Sequence, residues 1–171
     1  HTFKFQKELL DDFHDHRYNI ILKSRQMGIS TIVAGYSAWM MLFHKERNIL
    51  VMATKLNTAI EIVEKVKDII DSVPDWIKIA EIAVNNKTKL ELTNGSKIHG
   101  VPTSKDAGRS QALSLLILDE AAHVEDMDDL WTGLLPTIST GGRCIALSTP
   151  NGVGNWFHKT YVDSESRSEE H

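Results

Sequence analysis

Two hydrophobic periods alternate along the chain. Phe5, Leu9, Leu10 and Phe13 recur at helical spacing, and the run Tyr18-Asn19-Ile20-Ile21-Leu22 then reads as a short buried strand. Between residues 30 and about 46 there is no proline and apolar residues dominate, which predicts a largely buried helix. Residues 48–53 predict a second strand. Ala59, Ile62, Val63, Val66, Ile69, Ile70 and Val73 then share one greasy helix face, which Pro74 ends. Segments 87–93 and 96–101 alternate around Asn94-Gly95, the pattern of a hairpin closed by a two-residue turn. The uninterrupted run Leu113-Ser114-Leu115-Leu116-Ile117-Leu118 suits a strand covered on both faces. A helix over 128–138 and a core strand over 143–147 complete the set. Strands alternating with helices predict an α/β fold: a mostly parallel sheet flanked by helices, with an antiparallel hairpin inserted. Residues 1–163 are expected to form one domain, and 164–171 a frayed polar tail or a tag-like remnant.

Composition narrows the function classes. The 171 residues are 42% hydrophobic and 25% charged, the profile of one ordinary soluble domain. With 19 Lys and Arg against 23 Asp and Glu the formal charge is −4, which excludes a uniformly basic surface for coating nucleic acid. Lys97, Lys105 and Arg109 nevertheless gather near the hairpin, either as a DNA-contacting edge or as lysines guarding an edge strand, whereas residues 119–129 hold six acids and neither Lys nor Arg. A single cysteine rules out an internal disulfide framework and a Cys-based zinc site, and Cys144, inside an apolar run, reads as a small buried hydrophobe. The nearly uncharged stretch 29–43 falls short of the roughly 20 apolar residues a membrane span needs. The eight histidines show no metal-ligand spacing; His14 and His16 are two apart and do not share a helix face.

Three strand ends carry candidate chemistry. The first strand runs into Lys23-Ser24-Arg25-Gln26-Met27-Gly28-Ile29-Ser30-Thr31 and a helix, the layout in which backbone N–H groups and a helix N-terminus surround a phosphate. Against G-x-x-x-x-G-K-[ST], Gly28 and Ser30 fit, Ile29 fills the lysine slot and Lys23 the first glycine slot. Lys23 would then supply the missing cation from the front of the loop, with Arg25 as a second; the alternative is an ordinary turn bearing two solvated bases. The strand ending in Asp119-Glu120 has the form needed to hold hydrated Mg²⁺ on the Asp and activate a water with the Glu. Ser148 and Thr149 close the third strand, where a hydroxyl reaches a γ-phosphate or the attacking water, unless Ser-Thr-Pro-Asn-Gly is only a turn. Gln6 could read an adenine edge, and Arg109, in the loop before the Asp-Glu strand, could act as an arginine finger; the alternatives are a solvated helix glutamine and a surface arginine.

Taken in order, Phe5-Gln6-Lys7-Glu8-Leu9-Leu10, Ser24-Arg25-Gln26-Met27-Gly28-Ile29-Ser30-Thr31, Leu116-Ile117-Leu118-Asp119-Glu120-Ala121-Ala122 and Leu147-Ser148-Thr149-Pro150-Asn151-Gly152 resemble the ATPase domain of the large terminase subunit of tailed bacteriophages. The resemblance implies a P-loop NTPase of the ASCE type and a motor that hydrolyses ATP with Mg²⁺ to pump double-stranded DNA into a procapsid. It implies a ring of subunits docked on the portal protein in the host cytoplasm, with a small terminase subunit as partner. By position, Gln6 resembles the adenine-contacting residue, residues 23–31 the phosphate loop, Ser30 and Asp119 the Mg²⁺ ligands, Glu120 the catalytic carboxylate, Ser148-Thr149 the coupling motif and Arg109 a trans-acting arginine. Nothing resembles the nuclease domain that large terminases also carry, so a motor domain excised from it is expected. A helicase-type translocase fragment and a catalytically silent nucleotide-binding module are the rival readings.

Overall fold

The chain runs α1 (Lys4–Asp15), β1 (Tyr18–Leu22), α2 (Ile29–Phe43), β2 (Asn48–Ala53), α3 (Leu56–Ser72), β3 (Ile82–Asn85), β4 (Lys89–Leu92) and β5 (Lys97–Pro102). It continues through β6 (Leu115–Asp119), a 3-10 turn (Ala121–His123), α4 (Met127–Ile138), β7 (Arg143–Ser148) and α5 (Trp156–Glu169). These elements come from a computed structural model that describes residues 4–24, 28–104 and 111–169. The strands form one sheet in the order β1-β7-β6-β2-β5-β4-β3. Neighbours from β1 to β5 are parallel, and β4 and β3 extend that sheet antiparallel.

Period-two alternation in the central strands feeds two cores. Ile49, Val51, Leu115, Ile117, Ile145 and Leu147 pack on one face with residues of α1, α2 and α3. Leu50, Met52, Leu116, Leu118, Cys144 and Ala146 pack on the other with Leu130, Leu134 and Ile138 of α4 and Phe157 of α5. Every residue of β6 is buried, as its uninterrupted apolar run predicts. Cys144 is 2% exposed and unpaired, and burial pushes its thiol pKa up to about 12. A thiol held neutral and enclosed is inert. Reaction of Cys144 with a disulfide reagent at pH 8 is therefore expected to follow the global unfolding rate; rapid labelling of the folded chain would contradict its burial.

The structure departs from the sequence reading in four places. The hairpin closes through three residues, Thr93-Asn94-Gly95: Leu92 N–H donates to Ser96 O (2.8 Å) and Gly95 N–H to Leu92 O (3.0 Å), with Gly95 at φ 83°. That left-handed third position is the form a three-residue loop takes. Asn94 is committed elsewhere, its Nδ2 donating to Met41 O (2.7 Å) and His44 O (3.2 Å) at the C-terminal end of α2. Second, β3 forms the sheet edge although three of its four residues are exposed, so no periodicity announced it, and Lys97 lies on β5, inside the sheet. Third, α2 ends at Phe43 and not near residue 46, where Glu46 takes a left-handed φ of 54°. Last, residues 164–169 continue α5, where a frayed tail was expected. Asn155 starts that helix, its Oδ1 accepting the His158 N–H at 2.9 Å.

Candidate nucleotide-binding site

Parallel strands put their carboxyl ends on one side, so β1, β7, β6 and β2 deliver Lys23, Thr149, Asp119-Glu120 and Thr54 to a common rim. Between them lies a cleft of about 570 Å³ lined by Lys23, Ser24, Gly28, Ile29, Ser30, Thr54, Lys55, Thr58, Lys65, Glu120, His123 and Thr149. Gly28 precedes α2 at φ 65°, a left-handed turn that glycine takes without strain and that brings the first N–H groups of the helix to the cleft. Strand β7 separates β1 from β6, and the Lys23 N–H donates to Ser148 O at 2.9 Å, tying the loop to the central strand.

The charged centre is built by Lys23. Its Nζ lies 2.6 Å from Asp119 Oδ1 and 3.4 Å from Glu120 Oε1, with side chains 12%, 4% and 28% exposed in that order. A contact this short and enclosed is a charge-assisted hydrogen bond, not a solvated surface pair. Asp119 Oδ1 also accepts the Glu120 N–H at 2.8 Å, and Glu120 sits at φ 55°. The left-handed turn swings the two consecutive carboxylates to the same side.

Other candidates divide. Ser24, Gly28, Ile29 and Ser30 line the cleft; Ile29 is 4% exposed and packs in the core, so an apolar anchor occupies the usual lysine position. Thr31 is exposed on α2 and does not line the cleft. Ser148 is fully buried, its hydroxyl donating to Thr149 O (2.8 Å) and accepting the Ala122 N–H (3.2 Å); the hydroxyl that faces the cleft is that of Thr149. Gln6 Nε2 stands beside Gly28, 3.7 Å from where a Cβ would lie, and lines a neighbouring cavity of about 550 Å³. Arg25, Gln26, Met27 and Arg109 lie outside the described residues.

Sequence reasoning missed Thr54, Lys55, Thr58, Lys65 and His123. The carboxyl-end rule applied to β2 would have found Thr54 and Lys55. Lys65, from the middle of α3, had no such signal. Among the described residues no cluster of three or more His, Cys, Asp or Glu is placed to hold a metal unaided. One buried carboxylate beside a hydroxyl-bearing helix start is instead the donor set that suits Mg²⁺, which keeps most of its ligands as water and phosphate oxygen.

A parallel sheet with a left-handed glycine before a helix start and a carboxylate pair on one cleft is the layout of a P-loop type α/β domain. A model of the terminase large subunit of the T4likevirus type, N-terminal domain, matches residues 20–168, and the chain belongs to that family. It is similar in fold to the large terminase ATPase domain of Thermus phage P74-26, with TM-score 0.77 and 20% identity over 95% of this chain and 70% of that one. The large terminase of a thermophilic bacteriophage in complex with ADP gives TM-score 0.74 and 17% identity over 96% of this chain and 42% of that one. The N-terminal domain of the DNA packaging ATPase from bacteriophage phi29 gives TM-score 0.63 and 19% identity, over 94% of this chain and 85% of that one.

Proposed function

We propose that this chain binds ATP with Mg²⁺ in the cleft and hydrolyses it to ADP and phosphate, driving double-stranded DNA into a procapsid. The observation that carries the reading is the convergence of Gly28, Lys23 and the Asp119-Glu120 pair on one rim. Gly28 and the α2 N-terminus cradle the phosphates, with Ser24, Arg25, Gln26 and Met27 completing the loop. Lys23 leaves Asp119 for the β- and γ-phosphates, which exposes the Asp119 carboxylate. Asp119 and Ser30 would hold Mg²⁺, which would supply positive charge to the phosphate oxygens. Glu120 takes the proton of the attacking water. Thr149 faces the γ-phosphate end of the cleft, and Gln6, beside the loop, meets the base. Residues 23–24 and 28–30 with Thr149 fit this role better than Thr31 and Ser148, whose positions face away from the cleft.

Arg109 is assigned from its sequence position as the arginine that completes a neighbour's site in a ring of subunits. The partners are portal protein, small terminase subunit and DNA, and the setting is the host cytoplasm; among the described residues no helix is long and apolar enough to cross a membrane. ATP turnover measured against protein concentration, with portal and DNA supplied, tests the assembly. Specific activity is expected to rise with concentration, and Arg109→Ala to remove that rise while sparing nucleotide affinity, by up to about three orders of magnitude. Activity independent of concentration would overturn the trans assignment, and no turnover under any condition would overturn the enzyme reading.

A further inference from the structure

His123 enters the cleft from the end of the 3-10 turn and has no part in the reading above. Its Nε2 lies 3.1 Å from Thr149 Oγ1 and 3.5 Å from Glu120 Oε2. The Thr149 hydroxyl is itself 3.4 Å from that same carboxylate oxygen and donates to it, because an ionised carboxylate only accepts. With its single proton on Glu120, the Thr149 hydroxyl accepts from His123 in the ring tautomer that carries a hydrogen on Nε2. The other oxygen of Glu120, Oε1, faces Lys23. Glu120 is thus gripped from two sides, by Lys23 on one oxygen and by His123 with Thr149 on the other.

The turn that carries His123 is fastened to the end of β7. The Ala122 N–H donates to Ser148 Oγ (3.2 Å), and Asn151 Nδ2 donates to Ala122 O (3.0 Å). These bonds hold the turn that carries His123 against the segment that carries Thr149. The imidazole is 37% exposed and also borders an adjoining cavity of about 390 Å³ with Glu125 and Asp126, so that it and Thr54 line both spaces.

We propose that His123 is a positioning residue: it fixes Oε2 of Glu120, directly and through Thr149, so that Oε1 is the oxygen presented to water once Lys23 departs. This inference rests on Glu120 being the base. A carboxylate free to rotate spends little time aimed at its proton, so the contribution is one of orientation, and it belongs to the chemical step, not to nucleotide binding. The test measures ATP turnover and nucleotide affinity for His123→Ala, His123→Gln and Glu120→Gln in the same chain, with thermal melts to confirm folding. His123→Ala is expected to lower kcat about tenfold with Kd for ATP changed less than about twofold. His123→Gln, whose side-chain amide can still donate to Thr149, is expected to recover most of that loss. Parental kcat in His123→Ala, or equal losses in both His123 variants accompanied by weaker binding, would overturn the positioning role. Normal turnover in Glu120→Gln would instead remove the base on which it depends, so the two failures are told apart.

Discussion

Glu120→Gln is expected to bind ATP with near-parental affinity and to lose turnover by roughly two to four orders of magnitude, the range a positioned general base supplies. The amide matches the carboxylate in shape, so the left-handed turn at Glu120 and the buried Asp119 beside it are left intact. What disappears is the ability to take a proton. Asp119→Ala should separate the roles: its loss falls on Mg²⁺-dependent nucleotide binding, read by titration of a fluorescent nucleotide with and without Mg²⁺. Near-normal hydrolysis by Glu120→Gln would remove this residue from the mechanism.

Lys23→Ala is the second large effect, and it reaches stability as well as rate. Removing the ammonium leaves Asp119, 4% exposed in its side chain, without the cation 2.6 Å away. Breaking a buried pair in this way costs about 3–5 kcal/mol, which for a chain of this size lowers Tm by roughly 10 °C. ATP turnover should collapse because the phosphates lose their cation at the loop mouth. Mg²⁺ and Lys23 call on the same Asp119 carboxylate, so Mg²⁺ is expected to raise Tm more in Lys23→Ala than in the parent, measured by calorimetry across a Mg²⁺ series. Unchanged turnover in Lys23→Ala with collapse in Arg25→Ala would transfer the phosphate role to Arg25.

The parallel core was legible because its strands are apolar on both faces and its helices on one: Leu115–Asp119 announces itself by an unbroken apolar run and α3 by its helical period. The edges were not. Strand β3 has one half-buried residue, and α5 is polar through most of its length, so neither carries a stripe; the capping side chain of Asn155 was the only local mark of the helix. In the site, residue types at strand ends could be read directly, which is why Lys23, Asp119, Glu120 and Thr149 stand together. Which hydroxyl of Ser148 and Thr149 turns inward depends on strand phase at the last residue, and a one-residue uncertainty reverses it. His123 was hidden by its surroundings: three residues beyond Glu120, it meets that carboxylate only because the chain turns back through a 3-10 turn.

Helix α2 is held at both ends by different parts of the molecule. Its first turn follows Gly28 at the cleft, and the Asn94 carboxamide from the hairpin turn binds the carbonyls of Met41 and of the cap residue His44 at its other end. Over its 15 residues it spans about 22 Å. It therefore joins the cleft directly to the hairpin turn at the antiparallel margin of the sheet.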